Sequence, residues 1–131
     1  MSDEIQTSGI NRRKQVTGAD FVERAMSSVD EFSEPLQEWL NEHAWGSTWL
    51  SDGLDLRTRS LCTCAMLAAL GRGNELKGHI CGAINNGATI VEIREVLLHS
   101  AIYAGAPAAV EAFRNAREVV DGLGLNVRAR A

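Results

Sequence analysis

Residues 55–107 read DLRTRSLCTCAMLAALGRGNELKGHICGAINNGATIVEIREVLLHSAIYAGAP, and the punctuation within this stretch decides the fold. Asp55 is suited to cap a helix from Leu56 to about Leu70, because its carboxylate can accept backbone N–H groups that the first turn leaves open. The middle of that helix, Leu61 to Leu70, is apolar on nearly every side, which predicts a central place in the core. Gly71-Arg72-Gly73 interrupts it. Asn74 can cap the next helix, Glu75 to Asn86, which ends at Gly87, a residue suited to the left-handed position beyond a helix. Thr89-Ile90-Val91-Glu92 has the spacing of a capping box and opens a further helix to Ala104. Gly105 closes that helix, and Pro107 fits the first turn of a last one to about Val120, with Gly122 beyond it. No segment alternates as a strand would with comparable strength, so the expectation is an all-α, single-domain helical bundle of about six helices.

Working outward, the segment Gly46 to Leu54 reads as a connecting loop. Val29 to Trp45 carries a helical pattern opened by Ser33-Glu34-Pro35, and a short helix from Ala19 to about Met26 precedes it. Residues 1–18 are polar and are expected to form a mobile N-terminal arm or tail, or one that orders on a partner. The helical domain is thus expected over 19–125, with a C-terminal tail over 126–131.

The bulk properties exclude several classes of function. At 131 residues the chain suits one domain with an ordinary core. The net charge is -4 and the thirteen Lys and Arg are scattered, which argues against a nucleic-acid partner. The start, Met1-Ser2-Asp3-Glu4, has no basic region leading into an apolar one, and no window reaches the ~18 uninterrupted apolar residues of a membrane span. A soluble, cytoplasmic protein is expected. Three cysteines do not make a disulfide framework, and Cys62 and Cys64, two apart on a helix, point to nearly opposite sides. The three dispersed histidines lack a zinc-ligand spacing, so no metal is expected.

Chemistry concentrates where titratable groups share a helical face. Glu75 and His79 stand four residues apart, beside the apolar stripe Leu76, Ile80, Ala83 and Ile84. A neighbouring carboxylate favours imidazolium and makes His79 a proton donor near neutral pH; the plainer alternative is a part-buried core histidine beside a solvated first-turn acid. Arg57 and Arg59 occupy the first turn of their helix, where cations oppose the helix dipole, and either an anionic ligand or a structural ion pair would compensate. His99 and Tyr103 form another i,i+4 pair with Glu95 one turn earlier; structural hydrogen bonding competes there with a substrate contact. Trp45 and Trp49 can line a pocket for a flat substrate or serve as packing anchors. His43 has no context that singles it out. The helix from Ile90 to Ala104 is apolar around most of its second half, more than a small domain can cover, so a subunit interface is expected.

Taken together, Ala44-Trp45-Gly46-x-x-Trp49, Leu54-Asp55-x-Arg57-Thr58-Arg59-Ser60-Leu61, Glu75-x-x-x-His79, Gly87-Ala88-Thr89-x-x-Glu92 and Tyr103-x-Gly105-x-Pro107 resemble the carboxymuconolactone decarboxylase family from about Arg13 to Gly122. The resemblance implies an alkyl hydroperoxidase D-like fold and a homo-oligomer, trimer or hexamer, with active sites near subunit contacts. It marks Glu75 and His79 as the site. It implies decarboxylation of a small lactone, 4-carboxymuconolactone, to 3-oxoadipate enol-lactone in aromatic catabolism, with no cofactor. In that picture His79 is the general acid, Glu75 orients it, and Arg57 or Arg59 anchors a substrate carboxylate. Trp45 or Trp49 belongs to the apolar wall around the leaving group, with His99 and Tyr103 as further substrate contacts. The redox branch of the same fold carries a Cys-x-x-Cys whose positions fall on Arg72 and Glu75, so thiol peroxidase chemistry lacks both its thiols. A different small lactone or acid, or a non-catalytic oligomeric binding module, remain as alternatives.

Overall fold

The computed structural model describes residues 3–125, and among these every regular element is helical. Seven α-helices follow one another: α1 Asp3–Thr17, α2 Ala19–Ser27, α3 Glu34–Trp39, α4 Leu56–Leu70, α5 Gly73–Asn85, α6 Ile90–Ala104 and α7 Ala106–Gly122. The chain groups into two compact units whose boundary falls inside α4, between Arg59 and Ser60. The tail expected over 126–131 lies outside the described residues.

In the first unit the segment expected to be a polar arm is α1, which packs against the turn that follows α3. Its buried residues are Gly9, Arg13, Val16 and Thr17, a stripe at helical spacing in which only Val16 is an apolar side chain of any size. Burial is achieved by close approach and hydrogen bonding instead. The Arg13 guanidinium donates to Gln37 Oε1 at 2.9 Å and to Asn41 Oδ1 at 3.3 Å, and the Gln6 amide donates to the Glu38 carbonyl at 2.9 Å. Burial lowers the Arg13 pKa, but an arginine keeps its charge through the physiological range, so its amide partners stay engaged. Helix α3 opens at Glu34 with Pro35 in its first turn, as the Ser33-Glu34-Pro35 opening predicts, and the start of the Val29–Trp45 pattern stays outside it, because Asp30 Oδ1 accepts the N–H groups of Phe32 and Ser33, each at 3.0 Å, and holds a turn there. Beyond Trp39 the helix widens into a π turn over Leu40–Trp45. A Cβ added to Gly9 would lie 2.0 Å from the Asn41 carbonyl oxygen, and one on Gly46 would lie 2.5 Å from the same atom. Glycine at position 9 lets α1 and the π turn touch backbone to backbone, and glycine at position 46 lets the chain leave the π turn close against that turn's own carbonyls.

Asp55 caps α4 as expected, its carboxylate accepting the Thr58 N–H at 2.7 Å. That bond, the Thr58 hydroxyl and the Arg57 charge together hold the Asp55 carboxyl below its ordinary pKa. The body of α4 departs from expectation. It buries only Ser60, Cys64 and Ala68, a narrow stripe of small residues, while Met66 and Leu70 are 64% and 68% exposed in the isolated chain.

The core of the second unit is built on α5, where Leu76, Ile80 and Ala83 are completely buried against Ile93 and Leu97 of α6 and Ala112, Ala116 and Val119 of α7. Each large aliphatic chain so buried contributes roughly 2 kcal/mol. Helix α5 starts at Gly73, two residues before the expected Glu75, so Asn74 lies in its first turn and does not cap it. A Cβ on Gly73 would sit 2.6 Å from the Asn115 side chain of α7, which explains a glycine inside a helix here. An ion pair from Lys77 to Glu118 adds a second tie between α5 and α7. The capping box forms as read: Thr89 Oγ1 accepts the Glu92 N–H at 3.0 Å and Glu92 Oε1 accepts the Thr89 N–H at 2.9 Å. Gly87 and Gly105, both at φ 95°, turn the chain into and out of α6.

The Gly9 contact gives a direct check. Gly9→Ala forces the α1 backbone away from Asn41 and is expected to lower stability by about 1–3 kcal/mol, the usual cost of overpacking. Urea unfolding followed by helical circular dichroism measures it.

Candidate active site

Four of the sequence-derived candidates belong to the first unit. Trp45 and Trp49 stack with ring centroids 4.9 Å apart and planes at 21°, and only 6% and 7% of their surfaces are exposed. They pack with Val16 and Leu56 into a small core. Of the two roles open to them, burial favours packing. Because Leu56 belongs to that cluster, the tryptophans pin the start of α4, from which Arg57 and Arg59 project. Arg57 is exposed and Arg59 half-buried. The Arg59 guanidinium donates to the Ser51 carbonyl at 3.4 Å, which ties it to the preceding loop.

The other four belong to the second unit. Glu75 stands exposed in the first turn of α5, and His79 follows one turn later, half-buried, with its Nδ1 atom shielded from solvent. The fully buried Leu76 and Ile80 adjoin them in sequence and fix which way they face. The far end of α5 is anchored by a contact that the sequence did not single out: Asn86 Nδ2 donates to Ser60 Oγ at 2.9 Å, and Ser60 is fully buried. An asparagine just ahead of a helix-ending glycine was the available signal. On α6, His99 and Tyr103 are both exposed, their rings 5.3 Å apart and tilted by 38°. Tyr103 is 81% exposed in the single chain.

One cavity of the second unit, about 370 Å³, includes neither Glu75 nor His79. It lies among α5, α6 and α7 over an apolar floor, and Arg94, Arg114 and Arg117 stand among its lining residues. Sequence reasoning passed over it, although Phe113, Ala116 and Val120 with Arg114 and Arg117 form an amphipathic face on α7.

The thiols are set apart from this chemistry. Burial pushes the Cys64 thiol up to about 12 and raises that of Cys81, which suppresses the nucleophilic thiolate in both. Positions 72 and 75, on which the Cys-x-x-Cys of the redox branch was expected to fall, hold an arginine and a glutamate. Among the described residues no three His, Cys, Asp or Glu side chains are grouped to hold a metal ion, and no helix is long and apolar enough to cross a membrane.

An all-α chain with a Glu-x-x-x-His on a rigid central helix and arginines at the head of the preceding one defines a class of small helical proteins without a redox dithiol. The match to known proteins is specific: the carboxymuconolactone decarboxylase family model covers residues 34–118, and the chain belongs to that family. It is 40% identical over 126 residues to the 4-carboxymuconolactone decarboxylase of Acinetobacter baylyi, covering 95% of this chain and 94% of that protein. It is 45% identical over 104 residues to the nitrosuccinic acid decarboxylase of Metarhizium robertsii, covering 79% of this chain and 73% of that one.

The burial differences predict an order of thiol reactivity. In native protein at mildly alkaline pH, iodoacetamide is expected to label the exposed Cys62 first and Cys64 only after unfolding, as read by peptide mass spectrometry.

Proposed function

We propose that this protein removes CO2 from 4-carboxymuconolactone without a cofactor, giving 3-oxoadipate enol-lactone, with His79 as general acid and Glu75 orienting it. The observation that carries the proposal is the 40% identity to a 4-carboxymuconolactone decarboxylase along 95% of the chain, a span that contains both residues. The local setting of His79 supports its role, since a half-buried imidazole one turn from a carboxylate on a well-packed helix is held in a defined orientation.

The substrate itself supplies the electron sink. Its γ carbon carries the departing carboxylate and an acetate arm. As the C–CO2 bond breaks, its electron pair forms a double bond between the γ and β carbons, the pair of the former α,β double bond moves to between the α carbon and the carbonyl carbon, and charge collects on the carbonyl oxygen of the lactone. The resulting furan-like enolate is then protonated at the α carbon, for which His79 is the donor. Arg57 or Arg59 anchors the retained acetate carboxylate, and Trp45 and Trp49 hold the start of their helix from behind. His99 and Tyr103 are further substrate contacts. A donor aimed at the developing oxyanion is typically worth ~3 kcal/mol, and a positioned acid roughly a hundredfold in rate.

A second reading has its own support in the 45% identity to a nitrosuccinic acid decarboxylase. The two chemistries share a plan. In nitrosuccinate the nitro group takes the electron pair released with CO2, and a second carboxylate is retained for a cation to hold. The reading common to both is decarboxylation of a dicarboxylic acid whose departing carboxylate sits on a carbon bonded to an electron-accepting group, directly or through a double bond, so that the acceptor takes up the released electron pair. We further propose a cytoplasmic homo-oligomer, a trimer or hexamer, supported by the exposure in one chain of Leu98, Ile102 and Tyr103 on α6 and of Met66 and Leu70 on α4.

Ultraviolet-monitored turnover of freshly generated 4-carboxymuconolactone, with nitrosuccinate assayed in parallel, tests the reading. His79→Ala is expected to lower kcat by roughly a hundredfold or more, Glu75→Gln by less, and Arg57→Ala or Arg59→Ala to raise KM. Unimpaired kcat in His79→Ala would remove His79 as the acid, and no turnover of either acid by well-folded protein would overturn the proposed activity.

A further inference from the structure

Two surface features, one in each unit, are complementary in charge, and both are apolar at their centres. The first is the outer face of α3 and the residues flanking it. Phe32, in the turn just ahead of α3, is 94% exposed, and Leu36 and Trp39, on one side of the helix, are 57% and 54% exposed; in sequence the three fall at i, i+4 and i+7. The His43 ring lies over Trp39, with centroids 5.1 Å apart, and prolongs the stripe. Acids surround it: Asp30, Glu31, Glu34, Glu38 and Glu42 fall between residues 30 and 42, where there is no lysine or arginine. The second is the cavity among α5, α6 and α7, with an apolar floor that includes Ile93, Leu97 and Phe113. Its charged lining is one-signed, Arg94, Arg114 and Arg117, with no carboxylate among the lining residues. Two of these arginines make loose pairs on their own helices, Arg94 with Glu95 at 3.5 Å and Arg117 with Asp121 at 3.6 Å, both between exposed side chains. Pairs of that kind hold their partners weakly and exchange readily for better ones.

From this complementarity we infer that the cavity receives the Phe32–Leu36–Trp39 face of a second copy of this chain, with Glu34 and Glu38 meeting the arginines at its rim. Each half is incomplete alone: the stripe leaves three large apolar side chains in water, and the cavity leaves an apolar floor open beneath cations. A partner carrying an acid-flanked i, i+4, i+7 stripe answers both, and this chain supplies one. The contact joins two different patches of the same chain, so a repeated contact builds a closed ring, or a two-fold dimer that exchanges α3 reciprocally. The inference is independent of the substrate and deepens the assembly part of the proposal above, on which it rests.

Charge reversal measured by sedimentation velocity across a concentration series tests it, with helical circular dichroism to confirm folding. The variants are chosen on exposed side chains that take no part in either core. Arg114→Glu with Arg117→Glu is expected to raise the dissociation constant of the assembly at least about tenfold, and Glu34→Lys with Glu38→Lys to do the same, because like charges then face each other. A chain carrying all four changes restores the opposite-sign pairing with its signs exchanged, and is expected to assemble like the wild type. Phe32→Ser with Leu36→Ser is expected to weaken assembly without loss of helicity. Wild-type protein that stays monomeric would overturn both this pairing and the assembly reading. A wild-type oligomer indifferent to either single reversal would overturn the pairing alone, and is the result expected if the cavity belongs to another protein or to an anionic amphiphile. Failure of the four-change chain to recover would also overturn it.

Discussion

The rotation of α5 about its own axis is the constraint on which the candidate chemistry depends. Leu76, Ile80 and Ala83 have no exposed surface, and turning the helix by one residue's angle would bring them into water and Glu75 or His79 into the core. The Lys77–Glu118 pair and the Gly73–Asn115 approach hold the same rotation from the α7 side, and the Asn86–Ser60 hydrogen bond fixes the far end. An acid–base pair on such a helix needs no loop to order it. The side chains that do the positioning are ordinary core residues, which is why a site of this kind is recognised by the pair and its packing together.

The first unit depends on a different device. There α1 and the π turn meet through glycine, a buried arginine and carboxamides, with the Trp45–Trp49 stack below the start of α4. Leu56, packed against that cluster, ties the turn bearing Arg57 and Arg59 to it. Asp55 adds to it, since its ionised carboxylate caps that turn. Protonation withdraws the cap, and because the folded-state pKa is lowered, the contribution is present above the unfolded-state pKa and is lost as pH falls through the folded one.

Four helix ends were legible in the sequence because each has a local cause, the Asp55 cap, the Thr89–Glu92 box, and Gly87 and Gly105 at positive φ, whereas the start of α5, which no side chain caps, was placed two residues late. The Glu75–His79 spacing was legible too. Helix α1 was not, because its buried stripe is Gly9, Arg13 and Thr17 with a single valine, and its stability comes from hydrogen bonds to residues more than twenty positions away. The apolar body of α4 suggested a central helix, yet hydrophobicity says only that a surface is to be covered and not by which chain. The pairing of two tryptophans was visible, but whether their rings face a ligand or each other is a tertiary fact. The cavity rimmed by arginines joins residues from three helices, and no local pattern brings Arg94 together with Arg114 and Arg117.

The most direct test of the account is turnover of 4-carboxymuconolactone in D2O, stopped early, with NMR of the enol-lactone at its α carbon. If His79 delivers the proton, the wild-type product carries one deuterium on a single face of that carbon, and the residual product of His79→Ala loses the facial preference as well as the rate. A wild-type product labelled equally on both faces, or a His79→Ala product with full rate and unchanged selectivity, would contradict the assignment.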